Sequence, residues 1–286
     1  MPNKLRFGWI PDYPDIRDYT FDSEKIKKLT GNIKVPKKLK ELPSSVDLRK
    51  WCSPVENQEN IGSCTAHAVA ALVEYSENRA FGRFTDGSRL FLYKVTRNLL
   101  KYTGDTGAFL RSTIGAMVMF GMPPEEFWPY DTVKFDEEPN AFCYAFAQNY
   151  QCINYFRHDP PNVSKKEVLN SVKRYLNTGI PAAFGFTVYQ SIRDAGSDGK
   201  IPFPFGSEKI EGGHAVAAVG YDDEMEIVNK GGKVSKGALL IRNSWGSGWG
   251  EDGYGWLPYD YVLSGLAVDW WSILKQEWVD TKLFAE

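Results

Sequence analysis

The spacing of apolar positions predicts that the first half of the chain is mostly helical. Between Cys64 and Asn78 the apolar residues recur at three- and four-residue intervals, which is the pattern of a helix with one buried face. The same pattern predicts helices from Ser88 to Leu100 and from Leu110 to Phe120. The second of these is followed by Gly-Met-Pro-Pro, a sequence that ends helices.

The second half of the chain has a different pattern. A capping box, Ser-Lys-Lys-Glu from Ser164, predicts one helix that runs to about Asn177 and ends before Gly179. Apolar runs separated by turn residues then predict strands at Ile180 to Tyr189, His214 to Tyr221, Gly237 to Arg242 and Gly253 to Tyr259. We therefore expect an α+β fold, with a helical half at about 43–150 and a β-barrel half at about 151–286.

Residues 1–42 differ from the rest of the chain in charge. They contain ten Lys or Arg and six Asp or Glu, so this segment carries +4 and the remainder −6. We expect charge to help hold the basic segment on the acidic body. The segment has no long helical pattern and contains Pro11 and Pro14. Two hypotheses are open: an extended stretch from Trp9 to Phe21 that touches or blocks a cleft, or a strap along the surface.

Composition narrows the class of protein. A chain of 286 residues with 43% hydrophobic content can form two domains around a shared cleft. The net charge of −2 gives no reason to expect a nucleic-acid partner. No apolar run approaches the roughly 20 residues needed to cross a bilayer. Residues 1–10 lack the apolar centre of a signal peptide, which favours the cytoplasm or export by another route.

The candidate chemistry begins with Cys64, which follows a Gly-Ser pair at the start of a predicted helix. The positive end of the helix dipole favours a thiolate at such a position. His214 lies far downstream in an apolar run, and Asn243 begins the sequence Asn-Ser-Trp-Gly-Ser-Gly-Trp-Gly. A cysteine followed by a histidine about 150 residues later, and then by an asparagine, is the order of one type of thiol hydrolase.

These motifs resemble the papain-like cysteine peptidases of the cathepsin kind, from about Leu42 to the C-terminus. The resemblance also includes Pro-Ser-Ser-Val-Asp-Leu-Arg from Pro43 and Trp-Pro-Tyr from Trp128, and the short N-terminal segment is similar to that of prokaryotic and viral members. It implies a two-domain fold, with a helical left domain, an antiparallel β-barrel right domain and the active-site cleft between them. The peptidase domain would span 43–286, and residues 1–42 would be propeptide-like.

The resemblance also implies a role for each candidate catalytic residue. Cys64 would form a thioester acyl-enzyme, His214 would carry protons, Asn243 would orient His214, and Gln58 would donate to the oxyanion. Trp245 would cover the Asn243–His214 hydrogen bond at the edge of the cleft. No cofactor and no metal are expected. We expect a monomer that acts on peptides or proteins and is inhibited intramolecularly by residues 1–42.

Further residues are candidates for substrate binding. The Gly107-Ala108-Phe109 stretch resembles the family's substrate loop, in which Gly107 would offer its backbone to an extended peptide. Phe109 would form a wall of the S2 pocket, Gly185 would leave that pocket roomy, and Asp269 would lie near its floor. An acid there would favour a basic P2 residue. The alternative is that Asp269 pairs locally with its neighbours.

The chain departs from the family around the nucleophile. Thr65 follows the cysteine where Trp is usual, and Ile61 replaces a disulfide cysteine, so we expect a fold without that bridge. The remaining cysteines, Cys52, Cys143 and Cys152, are expected to be free thiols, and a Cys143–Cys152 bridge is the alternative. We expect a buried structural role for His67 and a solvated loop position for His158.

Three activities are compatible with these residues. The dipeptide-removing cathepsins use a pair of histidines, and none of the three histidines here are adjacent, so an endopeptidase is favoured, with an exopeptidase blocked by the N-terminal segment as the alternative. An acyl transferase that uses the same thioester is a second hypothesis. A non-catalytic peptide-binding module is a third, but a pseudoenzyme is expected to lose one of the four catalytic groups, and all four are present.

Overall fold

A computed structural model describes residues 6–31, 33–36, 39–150 and 154–284. Its α-helices are α1 (Glu24–Thr30), α2 (Cys64–Phe81), α3 (Arg89–Leu100), α4 (Leu110–Phe120), α5 (Ala141–Ala147), α6 (Lys165–Asn177), α7 (Tyr259–Leu263) and α8 (Gln276–Asp280). Its strands are β1 (Ser45–Asp47), β2 (Asn154–Arg157), β3 (Ala182–Tyr189), β4 (Ile210–Val228), β5 (Val234–Arg242), β6 (Tyr254–Pro258) and β7 (Ala267–Leu274).

Helix α2 is the central helix of the first half. It is rich in alanine and is buried along almost its whole length, which is the behaviour of a helix that is apolar on all sides. A buried ion pair of 2.7 Å between Glu74 and Arg89 joins α2 to α3. Gly82, with a φ of 68°, ends α2 in the left-handed conformation that glycine adopts most readily. The N-terminus of α2 is thereby held at the middle of the molecule.

The strands form a seven-stranded antiparallel sheet within the described residues, in the order β2-β7-β3-β4-β5-β6, with β1 paired to β4. Strand β4 lies between β3 and β5, and its register places Ala217 opposite Arg242. His214 on β4 and Asn243 directly after β5 are consequently neighbours. The predicted α+β class is confirmed.

The predicted helices are confirmed to within a few residues, and so are the four predicted strands. Strand β4 is longer than expected, because it extends beyond the apolar run into a hairpin with partly exposed residues. Strands β1, β2 and β7 were not predicted, although β7 carries Asp269. The division into halves near residue 150 remains a prediction.

The N-terminal segment has two parts. Helix α1 contacts α8 and buries Ile26 and Leu29, and Thr20 forms a bridge with Arg157 at the edge of the sheet. These residues act as a strap. Residues 6–10 lie elsewhere, in the cleft, as described below. Both hypotheses for the segment therefore describe part of it, but the part in the cleft is residues 6–10 and not the predicted stretch from Trp9 to Phe21.

The electrostatic expectation for this segment needs correction. Within the described part of the segment, one ion pair joins a base of the segment to an acid of the body, Arg6 to Asp105. Three others run in the opposite sense, from Asp12 and Asp18 to Arg111 and from Asp18 to Arg157. The net charge of the segment did not predict these ion pairs, because each pair depends on which individual side chains lie next to each other.

The burial of His67 and His158 tests the expectations for these two histidines. His67 is buried, as predicted, with Nδ1 3.2 Å from the carbonyl oxygen of Ser63. His158 was predicted to be solvated, and this is wrong: it is fully buried between the hydroxyls of Ser171 and Ser272, at 3.0 and 2.9 Å. Its loop is covered by α6, a contact that local sequence does not reveal.

The cysteine expectations are tested in part. Cys52, Cys64 and Cys143 are free thiols, and the Cys143 Sγ lies 3.5 Å from the carbonyl oxygen of Phe127. Cys152 lies outside the described residues.

Candidate active site

Cys64 is the first residue of α2 and is fully buried. The backbone N–H groups of Ala215 and Gly8 point to its sulfur and favour the thiolate, but burial has the larger effect and raises the pKa of the thiol to about 11. The expected low pKa is therefore absent from this arrangement. Gly8 of the N-terminal segment is one of the groups in contact with the sulfur, so the segment is part of what covers it.

His214 and Asn243 form a hydrogen bond of 2.8 Å between Nε2 and Oδ1. Asn243 Oδ1 also accepts from the backbone N–H of Ser244 at 2.8 Å, so this oxygen is an acceptor and Nε2 of His214 carries the proton. The Nδ1 atom is buried and has no hydrogen-bond partner among the described residues. It is thus the nitrogen that can take a proton. Burial lowers the pKa of His214 to about 4, and the hydrogen bond to Asn243 opposes this shift.

Trp245 covers this pair. Its indole stacks on the His214 ring, with ring centroids 4.6 Å apart and an interplanar angle of 19°. Trp249 packs against Trp245 edge to face at 5.4 Å. The stack excludes water from the His214–Asn243 hydrogen bond and strengthens it.

Gln58 is oriented by contacts at both ends of its side-chain amide. Its Oε1 accepts from the Ser244 hydroxyl at 2.6 Å, so the NH2 group must face the other way. Nε2 donates to the carbonyl oxygens of Ile61 at 3.0 Å and of Arg6 at 3.1 Å. The amide donor therefore reaches into the cleft, where it binds a carbonyl oxygen of the N-terminal segment.

Residues 6–10 occupy the cleft as an extended strand. The N–H of Trp9 donates to the carbonyl oxygen of Gly213 at 3.0 Å, Ala108 donates to that of Gly8 at 2.8 Å, and Ile10 donates to that of Ala108 at 3.0 Å. The bridge between Trp9 and Ala108 is parallel. The segment is consequently held from both walls of the cleft by backbone hydrogen bonds.

The segment also fits the cleft closely on both sides of Cys64. The ring of Phe7 lies edge to face with His214 and Trp245, with centroids 6.1 Å apart in each case. A Cβ atom added to Gly8 would lie 1.9 Å from the carbonyl oxygen of Gly62. Only glycine fits at this point of the segment.

The predicted substrate-binding residues surround the same strand. Gly107 has a φ of 74° and lies against Gly8, but its N–H donates to the Tyr93 hydroxyl at 3.0 Å. The backbone hydrogen bonds to the segment come from Ala108, one residue beyond the predicted position. Sequence spacing alone could not distinguish these neighbours. Phe109 is half-buried at the N-cap of α4.

Gly185 and Asp269 enclose the side chain of Trp9. A Cβ added to Gly185 would lie 1.9 Å from the indole ring, and the indole N–H donates to Asp269 Oδ2 at 3.0 Å. Burial raises the pKa of Asp269 to about 6, and the nearby charge of Arg157 opposes this shift. Two of the residues predicted for the S2 pocket, Gly185 and Asp269, thus contact the side chain of Trp9.

A cysteine at a helix N-terminus, an Asn-oriented histidine and an amide donor on one cleft are the parts of a thiol-dependent hydrolase. Comparison with known proteins agrees with this class. The sequence model of the papain family of cysteine proteases matches residues 42–267. The chain belongs to the papain family of cysteine proteases, and is therefore a cysteine peptidase that acts on peptides or proteins.

Several relatives share most of the chain. An uncharacterised peptidase C1-like protein of Acanthamoeba polyphaga mimivirus is 36% identical over 280 residues, covering 93% of this chain and 86% of the viral protein. The crystal structure of xylellain, a cysteine protease from Xylella fastidiosa, is 34% identical with a TM-score of 0.72, covering 94% of this chain and 97% of xylellain. Papain from Carica papaya is 27% identical over 223 residues, which cover 74% of this chain and 54% of that protein. The predicted papain-like fold is confirmed.

Among the described residues, we find no helix whose length and apolar content would let it cross a membrane.

Proposed function

We propose that this protein is a cysteine endopeptidase that uses Cys64, His214, Asn243 and Gln58, and that residues 6–10 keep it latent. The proposal rests chiefly on the contact between Gly8 and Cys64, because the same backbone that covers the sulfur also binds the amide of Gln58 through Arg6. A segment that engages both groups competes with any substrate for them.

The catalytic cycle follows from the hydrogen bonds of these residues. Nδ1 of His214 takes the proton of the thiol, and the sulfur attacks the substrate carbonyl carbon. Nε2 of Gln58 and the backbone N–H of Cys64 donate to the oxyanion. The imidazolium then protonates the leaving amine, which gives a thioester. Water activated by His214 hydrolyses the thioester and regenerates the thiol.

Asn243 and Ser244 support these steps without contacting the substrate. Asn243 keeps the proton on Nε2 in the neutral ring, so that Nδ1 is free to act as the base. Ser244 holds the Oε1 atom of Gln58 away from the cleft, so that the amide presents donors to the oxyanion.

Latency is supported by what the segment offers to the sulfur. The backbone N–H of Gly8 forms a hydrogen bond to the thiol. The order along the cleft is Phe7 at Trp245, Gly8 at Cys64 and Trp9 at Gly185. Since a propeptide of this family runs in the direction opposite to substrate, this order agrees with a bound segment that resists cleavage.

The test uses full-length chains and a fluorogenic peptide library. Gly8→Ala places a methyl group against Gly62 and should displace the segment, so hydrolysis should rise at least about tenfold. Gly115→Ala is the matched control, since a Cβ there meets no atom within 4 Å. Cys64→Ala combined with Gly8→Ala should be inactive.

Each outcome discriminates between hypotheses. Equal hydrolysis by the parent and by Gly8→Ala would contradict latency but leave the peptidase. Activity that survives Cys64→Ala would contradict the assigned nucleophile. Product masses separate hydrolysis from acyl transfer, because transfer adds the mass of the accepting amine to the product.

A further inference from the structure

The S2 pocket is already occupied by a side chain whose contacts report what the pocket accepts. Trp9 is 5% exposed, and its indole lies on the bare backbone of Gly185 and against Gly213. Its ring is apolar and large, and its single polar atom, Nε1, reaches Asp269 Oδ2 at 3.0 Å. The pocket therefore combines a flat apolar surface with one acceptor atom.

The carboxylate of Asp269 already has partners within the protein. Its Oδ1 lies 3.3 Å from Nη1 of Arg157 and accepts from the indole N–H of Trp271 at 2.7 Å. Asp269 and Arg157 are both almost fully buried, at 0% and 1% exposure. Oδ1 therefore contacts groups of the protein itself, the guanidinium of Arg157 and the indole N–H of Trp271. Oδ2 is the oxygen that remains to accept a hydrogen bond from an occupant of the pocket.

The remaining charges near this pocket are also paired with the body. Asp159 accepts from Nε of Arg157 at 2.9 Å and from the backbone N–H groups of Asp269 and Trp270 at 2.8 and 3.0 Å. Asp18 pairs with Arg111 at 2.7 Å. Asp269 itself has a φ of 64°, so its side chain leaves the strand in an unusual direction that these contacts hold. The acceptor is positioned rigidly.

We propose that the S2 pocket selects a neutral aromatic side chain with one ring N–H donor, tryptophan above phenylalanine, and rejects a basic side chain. This inference rests on the proposed peptidase function. A guanidinium or ammonium would bring three or more donors to a pocket whose occupant, Trp9, finds a single side-chain acceptor, Asp269 Oδ2, beside the buried Arg157. Unpaired buried donors and a second buried cation are both costly. Arg157 is the positioning residue that removes the basic preference an acid alone would give.

The test uses the full-length Gly8→Ala chain and dipeptide substrates with Arg at P1. The P2 residue is Trp, Phe, Arg or 3-benzothienylalanine, which has the shape of Trp with sulfur in place of the N–H. We expect kcat/KM for Trp to exceed that for benzothienylalanine by about tenfold, and that for Arg by at least as much. In Asp269→Asn, Oδ1 should face Arg157 and Trp271 and the NH2 group the pocket, so the Trp-to-benzothienylalanine ratio should fall to about one.

A higher kcat/KM for Arg than for Trp, or equal values for Trp and benzothienylalanine, would overturn the proposal. Lack of hydrolysis of every substrate would count against the proposed function instead. In that case a double-mutant cycle tests the pocket. The unfolding constant of the full-length chain is measured for the parent, for Trp9→Phe, for Asp269→Asn and for the double variant. Coupling of about fivefold or more in the unfolding constant supports the pocket's preference for an N–H donor, and no coupling overturns it.

Discussion

Ser244 contacts Gln58 through both its side chain and its backbone. The Ser244 hydroxyl donates to Gln58 Oε1 at 2.6 Å, and the Ser244 carbonyl oxygen accepts from the Gln58 backbone N–H at 2.8 Å. Ser244 directly follows the asparagine that orients His214. One short stretch of chain therefore positions both His214 and Gln58, the residues proposed as proton carrier and oxyanion donor.

Ser244→Ala should lower kcat by about tenfold with little change in KM, measured in the Gly8→Ala background. Loss of the hydroxyl frees the amide of Gln58 to rotate, so that its donors meet the oxyanion less often. Gln58→Ala removes the donor itself and should cost about 10²–10³ in kcat. A rise in KM with unchanged kcat would show that Ser244 acts on substrate binding and not on the oxyanion.

Displacement of the segment should lower the pKa of the Cys64 thiol. Burial raises that pKa to about 11 and lowers that of His214 to about 4, so the covered pair is neutral at pH 7. Water admitted to the site favours the charged pair. The rate of Cys64 alkylation by iodoacetamide should therefore increase with pH in both chains. The increase should begin at a lower pH in Gly8→Ala than in the parent. Superimposable pH profiles for the two chains would contradict this account.

Truncation should distinguish the roles of the two parts of the N-terminal segment, the residues in the cleft and the strap. A chain that starts at Tyr13 loses the residues in the cleft, including the buried Trp9, but keeps α1, so it should be active and melt somewhat below the parent. A chain that starts at Leu42 also loses the buried side chains of Ile26, Leu29 and Ile33. Each contributes about 1.5–3 kcal/mol when fully buried, so this chain should melt much lower. Equal melting temperatures for the two truncations would rule out the strap.

Much of the fold and of the catalytic set could be predicted from the sequence because the signals are local. The periodicity of α2, the apolar run of β4 and the motif at Asn243 each occupy consecutive residues. The path of residues 6–10 is different, since it depends on contacts with Gly213 and Ala108, which lie far away in sequence. No pattern within the segment shows which wall it meets.

The same limit explains the errors. Strand β7 escaped prediction because Asp269 leaves the extended conformation and two tryptophans are buried on successive positions, which obscures the alternation of a strand. His158 was misplaced because Ser171 and Ser272, its partners, come from a helix and a strand distant in sequence. The expected basic preference at S2, which stays a prediction, took no account of Arg157, because this partner of Asp269 is also distant in sequence.

Acid should destabilise the protein through its buried histidines. Burial lowers the pKa of His158 to about 3, whereas an unfolded histidine titrates near 6.5. Below pH 6.5 the unfolded state binds the proton and the folded state does not, so the free energy of unfolding falls as pH falls, by about 1.4 kcal/mol per pH unit.

His158→Gln, which cannot titrate, should reduce this slope between pH 6 and 4 by that amount in denaturant unfolding. An unchanged slope would show that His158 is protonated in the folded state.

The most direct test of the central claim is the site at which a peptidyl epoxide, a reagent for papain-like enzymes, modifies the full-length Gly8→Ala chain. Cys52 and Cys143 serve as internal controls, because both are free thiols and their pKa values are raised by burial. Peptide mapping by mass spectrometry should find the adduct on Cys64 alone, formed faster than in the parent and absent in His214→Ala at neutral pH. Modification of Cys52 or Cys143 with an unmodified Cys64 would contradict the assignment of Cys64 as the nucleophile.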